Sequence, residues 1–136
     1  MLDFDHASVC DVDWLAGACL VTTRTAVERI GPMDEKFFLW NEDVDWCRRA
    51  HDAGFRVVYV PDAVADHAVG ASRKPQPAWL IWRRHLGMRH YAHKHRTAPW
   101  PLLWLTDLGI FVRAGLQIAA NPFRRLFDGP RGGRTS

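Results

Sequence analysis

The chain has 136 residues, 48% hydrophobic and 24% charged, which is the composition of a folded domain and excludes a chain that is disordered throughout. Its three cysteines have neither CxxC nor finger-like spacing, so they indicate no disulfide framework or zinc site and favour a reducing cytosol, and no secretion leader is recognisable. The net charge of +3 is divided unevenly: residues 1–72 hold 13 acids and 6 Lys or Arg, whereas residues 73–136 hold 2 and 12, which predicts a catalytic or cation-binding front and a back that meets an anionic surface.

The first half of the chain predicts short strands and helices. In order, residues 14–22 predict a buried strand or strand-like segment, 25–30 a short helix that ends at Gly31, 33–36 a turn, 55–60 a strand and 63–67 a short extended piece. The two strands are indicated by an uninterrupted apolar run with small residues and by β-branched and aromatic content, respectively.

Three carboxylates fall within four positions, at Glu42, Asp43 and Asp45, directly after an aromatic run. Clustered acids repel one another, so such a cluster is typical of a site that binds a cation or handles protons. Apolar residues at helical spacing predict a helix over 43–53 that Gly54 ends, which places the acids where the helix macrodipole favours negative charge. The alternative is that the acids only cap a solvated helix N-terminus.

The second half predicts two helices and a tail. Residues 77–96 form a helical pattern without an acid, and residues 102–120 form a strongly apolar one that Asp107 and Arg113 interrupt. The four histidines of the first pattern lack i, i+4 spacing, so no zinc site is predicted. Residues 121–136 are rich in Arg, Gly and Pro and predict a disordered tail.

The basic helix has two interpretations. It is either a solvated face or a surface for anionic lipid, to which each of the seven Lys and Arg between Arg73 and Arg96 could add about 1 kcal/mol. Four tryptophans are of the kind expected at a membrane interface: Trp79, Trp82, Trp100 and Trp104. Because Asp107 and Arg113 interrupt the second pattern, we predict an interfacial or shallowly inserted helix rather than a span.

Several motifs in the first half form one ordered set. They are Asp13-Trp14-Leu15-x-Gly17-Ala18, Gly31-x-Met33-Asp34-x-x-Phe37-Phe38, Glu42-Asp43-x-Asp45-x-Cys47-x-Arg49, Ala53-Gly54-Phe55-x-Val57, and His67 ahead of Gly70-x-Ser72. Over residues 9–75 this set resembles the C-terminal half of a family 2 glycosyltransferase domain of the bacterial rhamnosyltransferase type. The resemblance implies an α/β fold of the GT-A, Rossmann-like class, a nucleotide-diphosphate-sugar donor, a divalent metal (Mg or Mn) and inversion at the anomeric carbon.

The resemblance also implies roles for the acids. Asp43 matches the general base that removes the proton from the acceptor hydroxyl, a contribution of about 10²–10⁴-fold in rate. Glu42 flanks it, either orienting it or touching the acceptor. Asp45 belongs to the same substrate-binding segment, where we expect it to hold the loop or to pair with Arg48 or Arg49.

Three further residues match the family pattern outside the acidic cluster. Trp14 and Gly17 match the segment that lines the acceptor and sugar pocket, although Trp14 alone is equally typical of a core residue. His67 matches a metal-ligand histidine that follows the last strand, and the alternative for His67 is an ordinary hydrogen-bonded or surface histidine.

The chain departs from the family pattern at its beginning. It shows no nucleotide-binding half and no Asp-x-Asp metal motif, since Asp11-Val12-Asp13 comes too late in the motif order. We therefore predict a truncated or split enzyme with little activity alone, made of a catalytic and acceptor part (1–75), basic Trp-rich helices (76–120) and the tail (121–136). Its expected partners are the donor, a glycan or lipid-linked acceptor, an anionic membrane and a separate N-terminal half, with no nucleic acid.

The expected location is the cytoplasmic side of the plasma membrane, as a peripheral protein. The alternative function is a non-catalytic, basic Trp-rich module that binds membrane or RNA; of these two surfaces membrane is favoured, because no stacking motif supports RNA.

Overall fold

The computed structural model describes residues 6–66, 76–96 and 98–127, with residues 122–127 described by their backbone alone. The chain forms two compact units, Met1–Ala68 and Val69–Ser136. The first contains β1 (Cys10–Asp11), α1 (Arg24–Ile30), α2 (Glu42–Asp52) and β2 (Val58–Tyr59), and the second contains α3 (Ala78–Lys94) and α4 (Trp100–Phe127).

Helix α1 confirms the predicted short helix. It begins because the Thr23 hydroxyl accepts a hydrogen bond from the backbone N–H of Ala26 at 3.2 Å. It ends at Gly31, which has φ +82° and donates its own N–H to the carbonyl of Val27. A left-handed backbone at this position suits glycine, which has no Cβ to clash.

Helix α2 confirms the helix predicted after the acidic cluster. All three acids, Glu42, Asp43 and Asp45, lie in its first turn. Asn41, directly before it, has the left-handed φ of +72°, and Gly54, with φ +82°, follows its C-terminal cap. The chain therefore turns sharply on both sides of α2, which sets the acids at an abrupt corner of the backbone.

The sheet is smaller than predicted. β1 and β2 pair antiparallel, with Cys10 opposite Tyr59 and Asp11 opposite Val58. The strand predicted over 14–22 is wrong: this segment has turns and irregular backbone, because the small residues around Gly17 form a turn, while the apolar side chains before and after it pack on the core. Within the predicted strand 55–60 only β2 is paired, and the helices with this small sheet are compatible with an α/β fold.

The core of the first unit lies beneath α2. Its buried residues are Trp46, Cys47, Ala50 and Val57, and the side chains packed around them are Val12, Leu15, Leu20, Ile30 and Phe55. Trp46 and Ala50 are one helical turn apart, so α2 presents one apolar stripe to the irregular segments and to β2.

The cysteines provide a test of this core. Cys47 is fully buried, and burial raises the pKa of its thiol, with the negative charge of Asp43 acting in the same direction. In the folded protein we expect iodoacetamide to modify exposed Cys19 first and half-buried Cys10 more slowly, and to modify Cys47 only after denaturation, as read by peptide mass spectrometry. Rapid native labelling of Cys47 would contradict the described core.

The second unit is a helical hairpin. Helices α3 and α4 confirm the patterns predicted over 77–96 and 102–120, but α4 is longer and continues to Phe127. The first residues of the predicted tail are therefore helical, and buried Asn121 anchors them by donating its amide to the carbonyl of Gln76 at 2.8 Å. Residues 128–136 lie outside the described residues.

Candidate active site

The acidic residues form the candidate site because the fold fixes Asp43 from two directions. The backbone N–H of Gly17 donates to its Oδ2 at 2.9 Å, and the N–H of Val44 donates to its Oδ1 at 2.8 Å. Two residues that the sequence assigned to one site, Gly17 and Asp43, are thus adjacent although 26 positions separate them. A Cβ added at Gly17 would lie 3.5 Å from the Asp43 Cβ, an ordinary contact distance, so the segment around residue 17 packs directly against the acid.

The carboxylate of Asp43 keeps room for a further partner. An ionised carboxylate offers about four lone-pair sites, and the two backbone donors occupy two of them. The residue is half-buried, so its side chain is held in place without being sealed from solvent. This arrangement can accept a proton from a hydroxyl group brought to the open side.

Two polar atoms next to Asp43 in the chain are buried without a hydrogen-bond partner among the described residues. They are the amide Nδ2 of Asn41 and the carboxylate Oε2 of Glu42. Buried polar atoms are nearly always paired, and leaving one unpaired costs about 1–3 kcal/mol. One donor and one acceptor close to Asp43 in sequence therefore have unused hydrogen-bonding capacity within the part of the chain that the structure describes. Asn41 was not among the residues predicted for the site; its position before a helix with acids in the first turn was the available signal.

Asp45 has a different environment. Its side chain is 0% exposed, and its Oδ2 accepts a hydrogen bond from the Nε of Arg49 at 2.9 Å. Arg49 also donates to the carbonyls of Ile30 at 2.7 Å and Pro32 at 2.9 Å. Of the two expected pairings the structure has Arg49, and the pair ties α2 to the chain that follows α1. Because its carboxylate lies out of solvent, we assign Asp45 a positioning role rather than a direct contact with substrate.

A second bond strengthens this connection. The indole Nε1 of Trp46 donates to the carbonyl of Gly31 at 3.0 Å. Side chains of α2 therefore hold three successive carbonyls at the C-terminal end of α1, those of Ile30, Gly31 and Pro32. This clamp fixes the start of the segment that leads to the acids, and the i, i+4 spacing of Asp45 and Arg49 was its only signal in the sequence.

Trp14 lies on the surface rather than in the core. Its side chain is half exposed and lines a groove of about 350 Å³ together with Val12, Asp13, Leu15, Ala16 and Tyr59. One lining residue, Ala16, directly precedes Gly17 in the chain, and the backbone N–H of Gly17 contacts Asp43. An aromatic wall of this kind is suited to the apolar face of a sugar ring.

Asp11 has a structural partner. Its two carboxylate oxygens accept hydrogen bonds from Arg56 at 2.8 and 2.9 Å, and this bond holds the pKa of Asp11 below its ordinary value. The pair links β1 to the chain that leads into β2. This agrees with the interpretation of Asp11-Val12-Asp13 as a chance match to a metal motif.

His67, the expected metal ligand, lies outside the described residues. Within 6–66, 76–96 and 98–127, no group of three His, Cys, Asp or Glu side chains is arranged to hold a metal ion. Family 2 enzymes typically use a divalent metal, but the described residues do not assemble a ligand set for one.

Comparison with known proteins identifies the family. The model of the family described as glycosyltransferase like family 2 matches residues 3–90, which include the acidic segment, Gly17 and Trp14. No solved structure matches the chain.

Curated relatives match much of this chain but only a minor part of their own length. The N-acetylglucosaminyl-diphospho-decaprenol L-rhamnosyltransferase of Mycobacterium tuberculosis is 31% identical over 112 residues, which is 81% of this chain and 36% of that protein. Rhamnosyltransferase WbbL of Escherichia coli K12 is 38% identical over 58 residues, covering 43% of this chain and 21% of that protein. The chain spans about a third of the length of the mycobacterial relative. On this match the chain belongs to glycosyltransferase family 2 and is rhamnosyltransferase-like.

Proposed function

We propose that this chain is the acceptor-side part of an inverting glycosyltransferase, in which Asp43 is the general base. The acceptor hydroxyl gives its proton to the Asp43 carboxylate as its oxygen bonds to the anomeric carbon of the donor sugar. The bond from that carbon to the diphosphate breaks, and the nucleoside diphosphate leaves with the bonding electrons. At the anomeric carbon the bond to the acceptor oxygen forms as the bond to the diphosphate breaks, and the configuration there inverts. The proton of the hydroxyl passes to Asp43.

The position of Asp43 is the observation that carries this proposal. A general base must be held within hydrogen-bond reach of the proton that it removes. The donors from Gly17 and Val44 hold both oxygens of Asp43 in the first turn of α2 while lone pairs stay available. The two backbone donors, the partial exposure of the side chain and its place in the family motif together favour Asp43 for this role.

The unpartnered atoms beside Asp43 support a binding role for its neighbours. Both atoms are buried, so their binding role requires a side-chain rotation when the acceptor enters; Oε2 of Glu42 would then accept from one hydroxyl, and Nδ2 of Asn41 would donate to another. Trp14 in its groove supplies an apolar wall for the sugar.

The names of the relatives support the choice of substrates. One carries a rhamnosyltransferase activity on a diphospho-decaprenol-linked sugar in its name, and Low-salt glycan biosynthesis hexosyltransferase Agl10 of Haloferax volcanii, 30% identical over 64 residues, carries a hexosyltransferase activity. We propose a nucleotide-diphosphate hexose or rhamnose as donor and a glycan or lipid-linked sugar as acceptor. A divalent metal and His67 would belong to donor binding in the complete enzyme. The proton transfer from the acceptor hydroxyl is assigned to Asp43 of this chain.

The proposal includes a requirement for a nucleotide-binding half, on the same or a separate polypeptide. We expect the purified 136-residue chain to release no nucleoside diphosphate above background from a nucleotide-rhamnose donor and a polyprenyl-diphosphate N-acetylglucosamine acceptor. Addition of the part of the mycobacterial relative that this chain does not match, fused or co-expressed, should restore release and glycosylated product. Transfer by the isolated chain would contradict the requirement, and a stable complex without transfer would favour the alternative, a non-catalytic module.

A further inference from the structure

Polar contacts hold the helical hairpin of the second unit together. The carboxylate of Asp107 on α4 accepts hydrogen bonds from Arg89 at 3.0 Å and from His93 at 2.9 Å, both on α3. Farther along, Arg84 donates to Gln117 at 2.7 Å. Residues later in α4 therefore contact residues earlier in α3, so the two helices run antiparallel with a polar seam between them.

The opposite side of α4 is apolar. Five large aliphatic side chains there are between 53% and 67% exposed: Leu102, Leu105, Leu108, Val112 and Leu116. The more buried residues of α4, on the side toward α3, recur at alternating steps of four and three: Leu103, Asp107, Ile110, Ala114, Gln117 and Asn121. Three of these six residues, Asp107, Gln117 and Asn121, are polar. In a helix of a water-soluble protein the apolar stripe faces inward and the polar side faces solvent. The distribution on α4 is therefore reversed.

A reversed distribution of this kind is typical of a helix that faces lipid. In a membrane environment polar and ionisable side chains turn toward neighbouring helices and pair there, as Asp107 does. By length and composition, residues Trp100–Asn121 are also apolar and long enough to cross a membrane, and only 11% of this apolar stretch is buried within the structure.

We infer that the outer face of α4, defined by Leu102, Leu105, Leu108, Val112 and Leu116, docks in the plane of an anionic lipid bilayer. The hairpin lies on the membrane and inserts its aliphatic row into the boundary between headgroups and acyl chains. This inference does not depend on the role of Asp43.

The composition of α3 argues for in-plane docking rather than a span. A hairpin that crossed the bilayer would carry α3 with it, because the polar seam holds the two helices together. Helix α3 contains four Lys or Arg, and each costs about 2.5–3.5 kcal/mol at the bilayer centre. With the hairpin on the surface, α3 stays on the water side of α4, where these residues keep their hydration, and their charge adds a long-range attraction to anionic lipid that salt screens.

Charge and tryptophan placement match an anionic surface. Residues 76–121 hold six Lys or Arg against one acid, Asp107. Because the helices are antiparallel, Trp79 at the start of α3 and Trp100 at the start of α4 lie at opposite ends of the hairpin, and both are more than half exposed. Tryptophan is enriched at the level of lipid headgroups, where its ring is apolar and its N–H can reach water.

Flotation of the full chain with vesicles tests the inference. Vesicles of phosphatidylcholine with about 30% phosphatidylglycerol should bind the chain, and pure phosphatidylcholine should bind it about tenfold less, because each basic residue near the surface adds attraction. Leu105→Glu with Leu116→Glu should lower the partition coefficient by at least about tenfold, because burial of two leucines is lost. Both leucines are exposed, so helicity by circular dichroism should not change.

The matched control carries the same charge change on the first unit. Val21 and Val64 are 91% and 85% exposed, and Val21→Glu with Val64→Glu should bind vesicles as the unaltered chain does. An equal loss of vesicle binding in both double variants would show that charge alone drives binding. Unchanged binding of the leucine variant would show that the aliphatic row does not contact lipid, and either result overturns the inference. Quenching of tryptophan fluorescence by lipids brominated at the middle of the acyl chain should be weak, and strong quenching would overturn in-plane docking in favour of a span.

Discussion

Replacement of Asp43 by Asn is expected to lower kcat for sugar transfer by about 10²–10⁴-fold, the usual contribution of a positioned base. The amide oxygen can still accept from the N–H of Gly17 or Val44, but the side chain can no longer take the proton of the acceptor hydroxyl. The effect should fall on kcat with little change in KM for the donor. It is measured as nucleoside diphosphate release by the chain joined to a nucleotide-binding half.

Asp52→Asn is the matched control for this effect. Asp52 is the last residue of α2, about 14 Å along the helix axis from Asp43, and its side chain is exposed. The same carboxylate-to-amide change there should leave kcat within about twofold of the unaltered value, on the usual scale of distant surface changes. If Asp43→Asn retained activity to the same extent while folding normally, Asp43 would not be the base.

The local signals in the sequence predicted α1 and α2 well. Gly31 ends α1 and Gly54 follows α2, as predicted, because left-handed glycine positions depend on a few neighbouring residues, whereas the Thr23 cap of α1 was found in the structure. The motif order also predicted that Gly17 and Asp43 belong to one site, and the two are in contact. That prediction came from the family pattern, since nothing in residues 17 to 43 alone specifies a hydrogen bond between them.

Non-local pairing was the part that the sequence could not supply. Residues 14–22 have the apolar content of a strand, but a strand needs a partner edge, and content alone does not distinguish a strand from irregular chain packed on a core. The clamp by Arg49 on the carbonyls of Ile30 and Pro32 was not predicted, because backbone carbonyls carry no sequence signal. On α4 the pattern predicted a helix, but the direction of its apolar face depends on which side meets α3.

Replacement of Asp45 by Ala is expected to destabilise the first unit by about 3–5 kcal/mol, the cost of removing one partner from a buried ion pair. The Asp45 side chain is 0% exposed, and the side chain of its partner Arg49 is only 21% exposed. The substitution therefore leaves the largely buried guanidinium of Arg49 without its counter-charge. A small domain is stable by only about 5–15 kcal/mol, so this is a large fraction of the total. The rate at which iodoacetamide reaches Cys47, in the core beneath α2, measures the opening of this unit separately from α3 and α4.

Asp52→Ala tests whether burial, rather than the ion pair itself, produces this loss. Arg48 and Asp52 lie on the same helix with the same spacing of four residues, but their side chains are 52% and 57% exposed. Exposed pairs contribute about 0–1 kcal/mol, because water and salt screen the charges. Labelling of Cys47 should therefore accelerate by more than about 100-fold in Asp45→Ala and by less than about fivefold in Asp52→Ala, as the two free-energy ranges require. Similar acceleration in the two variants would show that the Asp45–Arg49 clamp does not hold the segment that leads to the catalytic acid.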